Sequence, residues 1–172
     1  MLMKDWIADY VADQNVALLS ITSSAIERSV RLLQGAVNED RQIFAFGNGG
    51  SGANASHFAT DLGKGSSDAL GRRFRVLSLN DNIPWLSAIA NDYKYEDVFW
   101  RQLDNFARPG DVALTMTVSG NSPNIVKAME WCRAHQVTTI ALVGGGRGRV
   151  AELADEAIVV ESKHYGRERM CI

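Results

Sequence analysis

The sequence predicts an α/β protein: a three-layer αβα sandwich around a five-stranded parallel sheet of the flavodoxin-like type, preceded by a long helix. Short apolar runs alternate with helix-forming stretches, and glycine-rich turns follow several of these runs. A chain of 172 residues suits a single domain. We divide it into a helical segment, residues 1–38, that is used in assembly, and an α/β core, residues 39–172.

The N-terminal segment is predicted to be helical over residues 4–37, in one part or two, because it holds no proline and one glycine. Its apolar stripe recurs every three or four residues and is broken by one glutamine; the stripe comprises Ile7, Val11, Gln14, Leu18, Ile21 and Ala25. This helix precedes the first strand, so the stripe packs either on its own sheet or against another subunit. We expect the second arrangement.

The core elements follow from composition and spacing. Strands are predicted at residues 43–46, 74–79, 112–117, 137–143 and 157–160. Helices are predicted at residues 53–62, 83–90, 95–107, 122–135 and 150–154. Residues 63–67, with two glycines and two serines, and residues 144–149, with four glycines, are predicted to be loops.

The loop after the first strand predicts anion binding. It passes through glycines into a helix, where backbone N–H groups without partners and the helix dipole attract negative charge. The candidate ligands are Asn48, Gly49, Gly50 and Ser51. The same residues fit the G-x-G-x-x-G pattern, but Asp81 is too far along the chain for a dinucleotide site, so we expect no nucleotide cofactor. A structural turn without a ligand is the alternative.

A second loop of this kind follows the third strand. It again brings hydroxyl groups and free backbone amides to the carboxyl end of a strand, where ligands bind in open α/β sheets. Its candidate ligands are Thr117, Ser119, Asn121 and Ser122. Ser122 also suits a helix N-cap and Ser119 a turn, so each has a purely structural interpretation. Two such loops in one domain favour a shared phosphate site.

Charge and cysteine content limit the function further. The net charge is −2 and no basic block is present, which argues against direct binding to nucleic acid or to a membrane surface. Cys132 and Cys171 form neither a disulfide framework nor a metal-binding spacing, which favours a reducing compartment. No apolar run approaches 18 residues, and the N-terminus lacks a signal-peptide pattern. We therefore expect a cytoplasmic protein.

Four short motifs, taken in order, resemble the sugar isomerase (SIS) family: Gly47-Asn48-Gly49-Gly50-Ser51, His57-Phe58-Ala59, Asn91-Asp92 and Ser119-Gly120-Asn121-Ser122. The second and third resemble its phosphoheptose isomerase branch. The resemblance implies interconversion of sedoheptulose 7-phosphate and D-glycero-D-manno-heptose 7-phosphate. It also implies a homo-oligomer, a tetramer or a dimer.

Residue roles are carried over from this resemblance by position. Ser51, Thr117, Ser119 and Ser122 match the sugar-phosphate contacts, and Asp92 matches a contact to a substrate hydroxyl. Asp61 stands where these isomerases carry a catalytic glutamate, and His57 matches a histidine that binds zinc in some members.

Two departures from the family pattern favour a rival function. Asp61 is one methylene shorter than glutamate, and Val118 replaces a threonine. The rival is a non-catalytic SIS module that binds a sugar phosphate and regulates a protein partner, as SIS proteins that bind the replication initiator DnaA do.

His57 and Asp61 are also a chemical pair in their own right. Their i, i+4 spacing sets them on one face of a helix, about 9 and 15 Å along the axis from Ser51. They can act as the acid–base pair of a ketose–aldose isomerisation, or hold one side of a zinc ion. A structural histidine beside a solvated aspartate is the other interpretation.

The resemblance also concerns the end of the chain. It implies a final long helix that supplies a glutamine and a second catalytic histidine, whereas this sequence ends at Ile172, six residues beyond Gly166. Residues 168–172 allow about one helical turn. We therefore expect further residues, and an intact mass larger by about 2 to 3 kDa, enough for such a helix. The alternative is that the protein is not a competent isomerase, which would favour the non-catalytic module.

Overall fold

The computed structural model of the protein describes residues 2–162, 164 and 166. Helices and strands alternate through the core, as predicted. The five strands are β1 (Gln42–Gly47), β2 (Arg75–Ser78), β3 (Val112–Thr117), β4 (Thr138–Gly144) and β5 (Glu156–Val160). The α-helices are α1 (Met3–Leu19), α2 (Ser23–Asn38), α3 (Gly50–Thr60), α4 (Ser67–Leu70), α5 (Ile83–Asp92), α6 (Trp100–Phe106), α7 (Pro123–Ala134) and α8 (Gly148–Leu153).

All neighbouring strands are parallel, in the order β2-β1-β3-β4-β5. The chain moves from β1 outward to β2 and then crosses back to β3 on the other side of β1. The order of strands therefore reverses between β1 and β3, and their carboxyl ends lie side by side, with Gly47 opposite Met116. Crevices at such reversal points are where open α/β sheets bind ligands.

Two apolar cores cover the two faces of the sheet. Successive residues of β1 point to opposite faces, so Phe44 and Phe46 belong to one core and Ile43 to the other. The first core is completed by side chains of α5, α6, α7 and α8, and the second by side chains of α1, α2 and α3. This arrangement confirms the predicted three-layer αβα sandwich.

The N-terminal segment forms two helices, which is one of the two arrangements that the sequence predicted. The hydroxyl of Ser20 donates to the carbonyl of Ala17 at 2.6 Å and ends α1, and Thr22 begins α2 as its N-cap. Arg28 of α2 then makes two hydrogen bonds to the carboxylate of Glu156, at 2.6 and 3.0 Å, which join α2 to the edge strand β5.

Two predictions about local structure are wrong. Residues 63–67 are helical: α3 continues through a π-helix, Asp61–Ser66, into α4, which ends at Gly71 with a φ of 62°. Residues 95–107 are not one helix but a 3₁₀ turn, Tyr95–Asp97, followed by α6. Glycine content predicted the first loop, yet the side chain of Leu62 packs against the second core and favours the helical path.

Two findings concern the limits of the chain. In the part of the chain that the structure describes, no helix is both long and apolar enough to cross a membrane. The single helical turn expected for residues 168–172 lies outside the described residues.

Candidate functional site

The first ligand loop is shaped by glycines that side chains could not replace. A Cβ on Gly47 would lie 2.8 Å from the carbonyl oxygen of Met116 and equally close to that of Ser51. Gly49 has a φ of 54°, in the region that favours glycine, and turns the chain into α3. The loop therefore lies close against the end of β3 and presents the N-terminus of an 11-residue helix to the crevice.

The second ligand loop is held by its own side chains. The hydroxyl of Thr117 accepts a hydrogen bond from the amide of Gly120, and that of Ser119 accepts one from the amide of Asn121, both at 3.3 Å. Ser122 occupies the N-cap position of α7, but its hydroxyl makes no capping hydrogen bond. That hydroxyl is available to a ligand, which argues against the interpretation of Ser122 as a cap alone.

The two loops meet at one cavity of about 230 Å³. Its lining combines four hydroxyl side chains with an amide and two apolar residues: Asn48, Ser51, Met116, Thr117, Val118, Ser119 and Ser122. Ser51 and Thr117 are buried, whereas Ser119 is exposed, so the hydroxyl groups extend from the floor to the rim. The arrangement offers several neutral hydrogen-bond donors beside two helix N-termini, which suits a phosphate group.

Four other candidate residues lie beside this cavity or away from it. Gly50 begins α3, and Gly49 lines a neighbouring cavity instead. Asn121 lines a third cavity and accepts a hydrogen bond from the amide of Arg149 at 2.9 Å. Asp92 ends α5 as an exposed residue and accepts a hydrogen bond from the side chain of Asn91 at 2.9 Å.

Sequence reasoning missed two residues next to the cavity. The side-chain amides of Asn48 and Asn124 are paired by two hydrogen bonds, and the hydroxyl of Tyr95 donates to Asn48 Oδ1 at 3.2 Å. The sequence signal for Asn124 is only its place in the first turn of a predicted helix, since its burial is visible in the structure alone. Its partner Asn48 is 76 residues away, so the pairing depends on the fold.

His57 and Asp61 are paired, as their spacing predicted. His57 Nε2 lies 3.0 Å from Asp61 Oδ2, and both side chains are more than two thirds exposed. Neither residue lines the cavity of the two loops. The pair therefore faces solvent in a single chain, at the end of α3 away from Ser51.

The donors of this pair suit zinc, since imidazole nitrogen and carboxylate oxygen are both common zinc ligands. Among the described residues, no cluster of three or more histidine, cysteine, aspartate or glutamate side chains is placed to hold a metal. A tetrahedral zinc site takes four ligands, of which this pair could supply two.

The remaining histidines have other contacts. His135 stacks on Trp131, with ring centroids 4.0 Å apart, at the far end of α7 from the cavity. The ring of His164 contacts the edge of Tyr10 in α1, with centroids 5.8 Å apart. Neither histidine lines the cavity of the two loops.

Two arginines of the following loop and helix, and the thiol at the far end of α7, also have structural roles. Arg147 pairs with Glu161, and Arg149 pairs with Glu152 on the surface of α8. Burial raises the pKa of the Cys132 thiol to about 12, so at neutral pH it is a packed, protonated side chain and not a nucleophile.

Fold and site together define an α/β domain whose ligand loops follow β1 and β3 at the reversal of strand order. The chain belongs to the SIS domain family, whose model matches residues 8–144. Over 157 residues it is 37% identical to a probable phosphoheptose isomerase of Thermoplasma volcanium, covering 91% of this chain and 80% of that protein. Over 152 residues it is 40% identical to the phosphoheptose isomerase of Akkermansia muciniphila, covering 88% of this chain and 79% of that one.

Solved structures show the same likeness. The chain superimposes on the phosphoheptose isomerase of Neisseria gonorrhoeae with a TM-score of 0.89 at 27% identity, covering 98% of this chain and 91% of that one. The phosphoheptose isomerase of Francisella tularensis gives a TM-score of 0.88 at 24% identity, over 99% and 91% of the two chains, and supports the fold.

Proposed function

We propose that this protein is a phosphoheptose isomerase, an enzyme that interconverts sedoheptulose 7-phosphate and D-glycero-D-manno-heptose 7-phosphate. One observation carries the proposal: a single helix, α3, holds Ser51 in the phosphate cavity at its N-terminus and the His57–Asp61 pair at its other end. A sugar phosphate anchored at Ser51 extends toward a carboxylate that is already paired with an imidazole. The relatives named phosphoheptose isomerase support the same activity.

The described residues that line the cavity for the phosphate end of the substrate include no cationic side chain. Hydroxyl donors from Ser51, Thr117, Ser119 and Ser122 surround the cavity, and α3 and α7 both begin beside it. Helix N-termini carry partial positive charge, so two of them directed at one point reinforce each other. This site binds the phosphate of the substrate and leaves the carbonyl end free to reach the acid–base pair.

The carbonyl end undergoes a proton transfer between C1 and C2. Asp61 removes a proton from C1 of the ketose, the C1–H electron pair forms the C1=C2 bond of an enediol, and the C2 oxygen takes up a proton. Return of a proton to C2, with loss of the C1 hydroxyl proton, gives the aldose. His57, 3.0 Å from the carboxylate, orients Asp61 and shares the proton.

Zinc enters this proposal only as an ion that the same two side chains could bind. His57 Nε2 and the carboxylate of Asp61 would hold it. When bound, zinc supplies Lewis-acid polarisation of the substrate carbonyl.

Assembly and location are also proposed. We infer a homo-oligomer, a tetramer or a dimer, because the apolar side chains of Ile7, Val11 and Leu18 remain about half exposed on α1 in a single chain. A cytoplasmic location is consistent with a buried, unpaired Cys132.

The test is a direct assay of the purified protein with sedoheptulose 7-phosphate, with and without added zinc. We expect the heptose 7-phosphate to form, and unphosphorylated sedoheptulose, the matched control substrate, to react far more slowly at the same concentration. Binding of the sugar phosphate without turnover, in the presence and absence of zinc, would overturn the enzymatic proposal and favour the regulatory SIS module.

A further inference from the structure

The two ligand loops are joined by a small side-chain network centred on Asn48. Asn48 Nδ2 donates to Asn124 Oδ1 at 2.9 Å, and Asn124 Nδ2 donates back to Asn48 Oδ1 at 2.8 Å. The hydroxyl of Tyr95 donates to the same Asn48 oxygen at 3.2 Å. The two amides thus form a closed pair of hydrogen bonds. Asn48 Oδ1 accepts from both Asn124 and Tyr95, so both of its lone pairs are used.

Each partner in this network comes from a different element. Asn48 belongs to the loop after β1, Asn124 is in the first turn of α7, and Tyr95 begins the 3₁₀ turn. Asn124 is 2% exposed, so its side-chain amide is removed from water and depends on these partners. Its oxygen also accepts from the amide of Ile125 at 3.1 Å, which sets the side-chain orientation against α7 itself.

The elements that carry Tyr95 and Asn124 are braced against each other. The carboxylate of Asp97, at the end of the 3₁₀ turn, forms an ion pair with Lys127 of α7. The same carboxylate accepts a hydrogen bond from the indole of Trp100 at 2.8 Å. Tyr95 and Asn124 therefore approach Asn48 from one rigid unit, while Asn48 belongs to the loop that leads into α3.

We propose that Asn124 and Tyr95 are positioning residues of the phosphate site, acting through Asn48. They fix the position of the loop after β1 relative to the loop after β3, so that the N-termini of α3 and α7 are directed at one phosphate. This inference rests on the proposed function, because it requires that the two loops share one ligand. Neither residue lines the cavity, so neither needs to contact the ligand itself.

The mildest test is Tyr95→Phe, which removes one hydroxyl and keeps the ring. The probes are inorganic phosphate, measured by calorimetry, and sedoheptulose 7-phosphate in the isomerase assay. We expect the phosphate Kd and the KM to rise about threefold to tenfold, as for the loss of one hydrogen bond. The kcat should stay within about twofold, because the phosphate is held equally in the ground state and the transition state.

The matched control is Tyr93→Phe. Tyr93 is two residues from Tyr95 and similarly exposed, and its ring lies under the guanidinium of Arg101 at 3.6 Å. Loss of its hydroxyl should leave Kd, KM and kcat unchanged. A rise in KM of equal size in both variants would mean that the segment matters for another reason, and would overturn the positioning role.

A double-mutant cycle shows whether the effect passes through Asn48. In an Asn48→Ala background the acceptor is gone, so Tyr95→Phe and Asn124→Ala should add little further loss. Full additivity would overturn the inference. If Asn124→Ala fails to fold, the inference is tested by Tyr95→Phe alone, in the unmodified and the Asn48→Ala backgrounds. Removal of this exposed hydroxyl leaves the core intact.

The outcomes also separate this inference from the proposed function. If the unmodified protein binds phosphate and the sugar phosphate, but Tyr95→Phe binds them equally well, only the positioning role is overturned. If the unmodified protein binds neither, both proposals are overturned.

Discussion

At the scale of single residues, the hydroxyl groups of the cavity allow the most direct test of anion binding. Ser119→Ala removes one exposed donor at the rim without disturbing the core. We expect sugar-phosphate affinity to fall by about 1 to 2 kcal/mol, as for a hydrogen bond to a charged group. Calorimetric titration measures it, with Ser87→Ala on α5 as the control. An unchanged Kd would remove Ser119 from the ligand set.

Asp61 tests the chemistry at the other end of α3. Asp61→Asn keeps the size of the side chain and removes the base, so kcat should fall about a hundredfold or more, in the usual range for a general base. KM should change little, because the phosphate is held elsewhere. The control is Asp68→Asn, an exposed acid that pairs with Arg73. Steady-state kinetics with kcat within tenfold of the unmodified enzyme would exclude Asp61 as the base.

At this scale, the sequence predicted the positions of residues whose conformation depends on their immediate neighbours in the chain. Glycines after a strand and hydroxyls before a helix predict their own conformation, so the positions of Ser51 and Thr117 at the strand ends could be predicted from their immediate neighbours. Asn124 and Tyr95 could not be identified in this way. Their common partner is 76 and 47 residues away, and the contacts exist only once the order of the strands is known.

At the scale of elements, the largest surprise is the helical path after α3. Residues 63–67 contain two glycines and two serines and were predicted to be a loop, yet they lie in the π-helix and α4. Ser67 is 1% exposed, and its hydroxyl donates to the carbonyl of Leu62 at 3.1 Å and accepts from the amide of Phe74 at 3.0 Å. Tertiary contacts of this kind override local propensity.

Ser67→Ala should therefore destabilise the fold. It leaves the partly buried amide of Phe74 without its acceptor and removes a donor from the carbonyl of Leu62. We expect the free energy of unfolding to fall by about 1 to 3 kcal/mol, measured by urea denaturation. The neighbouring Ser66→Ala serves as the control and should cost less than half as much. Equal effects from the two variants would contradict this account of the helical path.

The ion pair between Asp97 of the 3₁₀ turn and Lys127 of α7 predicts that the stability of the fold depends on pH. The Lys127 ammonium, with help from the indole N–H of Trp100, holds the pKa of the Asp97 carboxyl below its usual range. A lowered folded-state pKa adds stability that is present above the unfolded-state value, about 3.9, and is lost as pH falls through the folded-state value. Stability should thus fall with acid below about pH 4.

Asp97→Asn removes this charge and isolates its contribution. At pH 7 the variant should be less stable by about 1 to 2 kcal/mol, since Lys127 is partly exposed and solvent weakens the pair. Its loss of stability between pH 5 and pH 3 should be shallower than that of the unmodified protein, by thermal unfolding across a pH series. Parallel curves for the two proteins would show that another carboxyl dominates the acid response.

At the scale of the whole molecule, the sequence predicted the layers of helices and sheet more fully than it predicted which apolar residues stay exposed. Alternating apolar strands and helices fixed the sheet and both cores, because burial on two faces leaves one consistent arrangement. The apolar stripe of residues 7–25 divides into two parts in the structure. Ala25 is buried within the chain, while Ile7, Val11 and Leu18 remain about half exposed on α1.

These exposed side chains are the reason that we predict a homo-oligomer. Several other apolar residues of α1 are also exposed, including Trp6, Val16 and Leu19, and a face of this size left in water is a liability. Light scattering should therefore give the unmodified protein a mass that is a multiple of the monomer mass. A stable monomer at micromolar concentration would contradict the prediction.

The double variant Val11→Glu, Leu18→Glu should dissociate this assembly, because the two positions share one face of α1 and carboxylates resist burial in an apolar interface. The control, Ala12→Glu, adds the same kind of charge between Asp9 and Asp13 and should leave the mass unchanged. His57 and Asp61 face solvent in a single chain, so isomerase activity should fall together with the mass. Full activity in a dissociated variant would mean that one chain completes the site by itself.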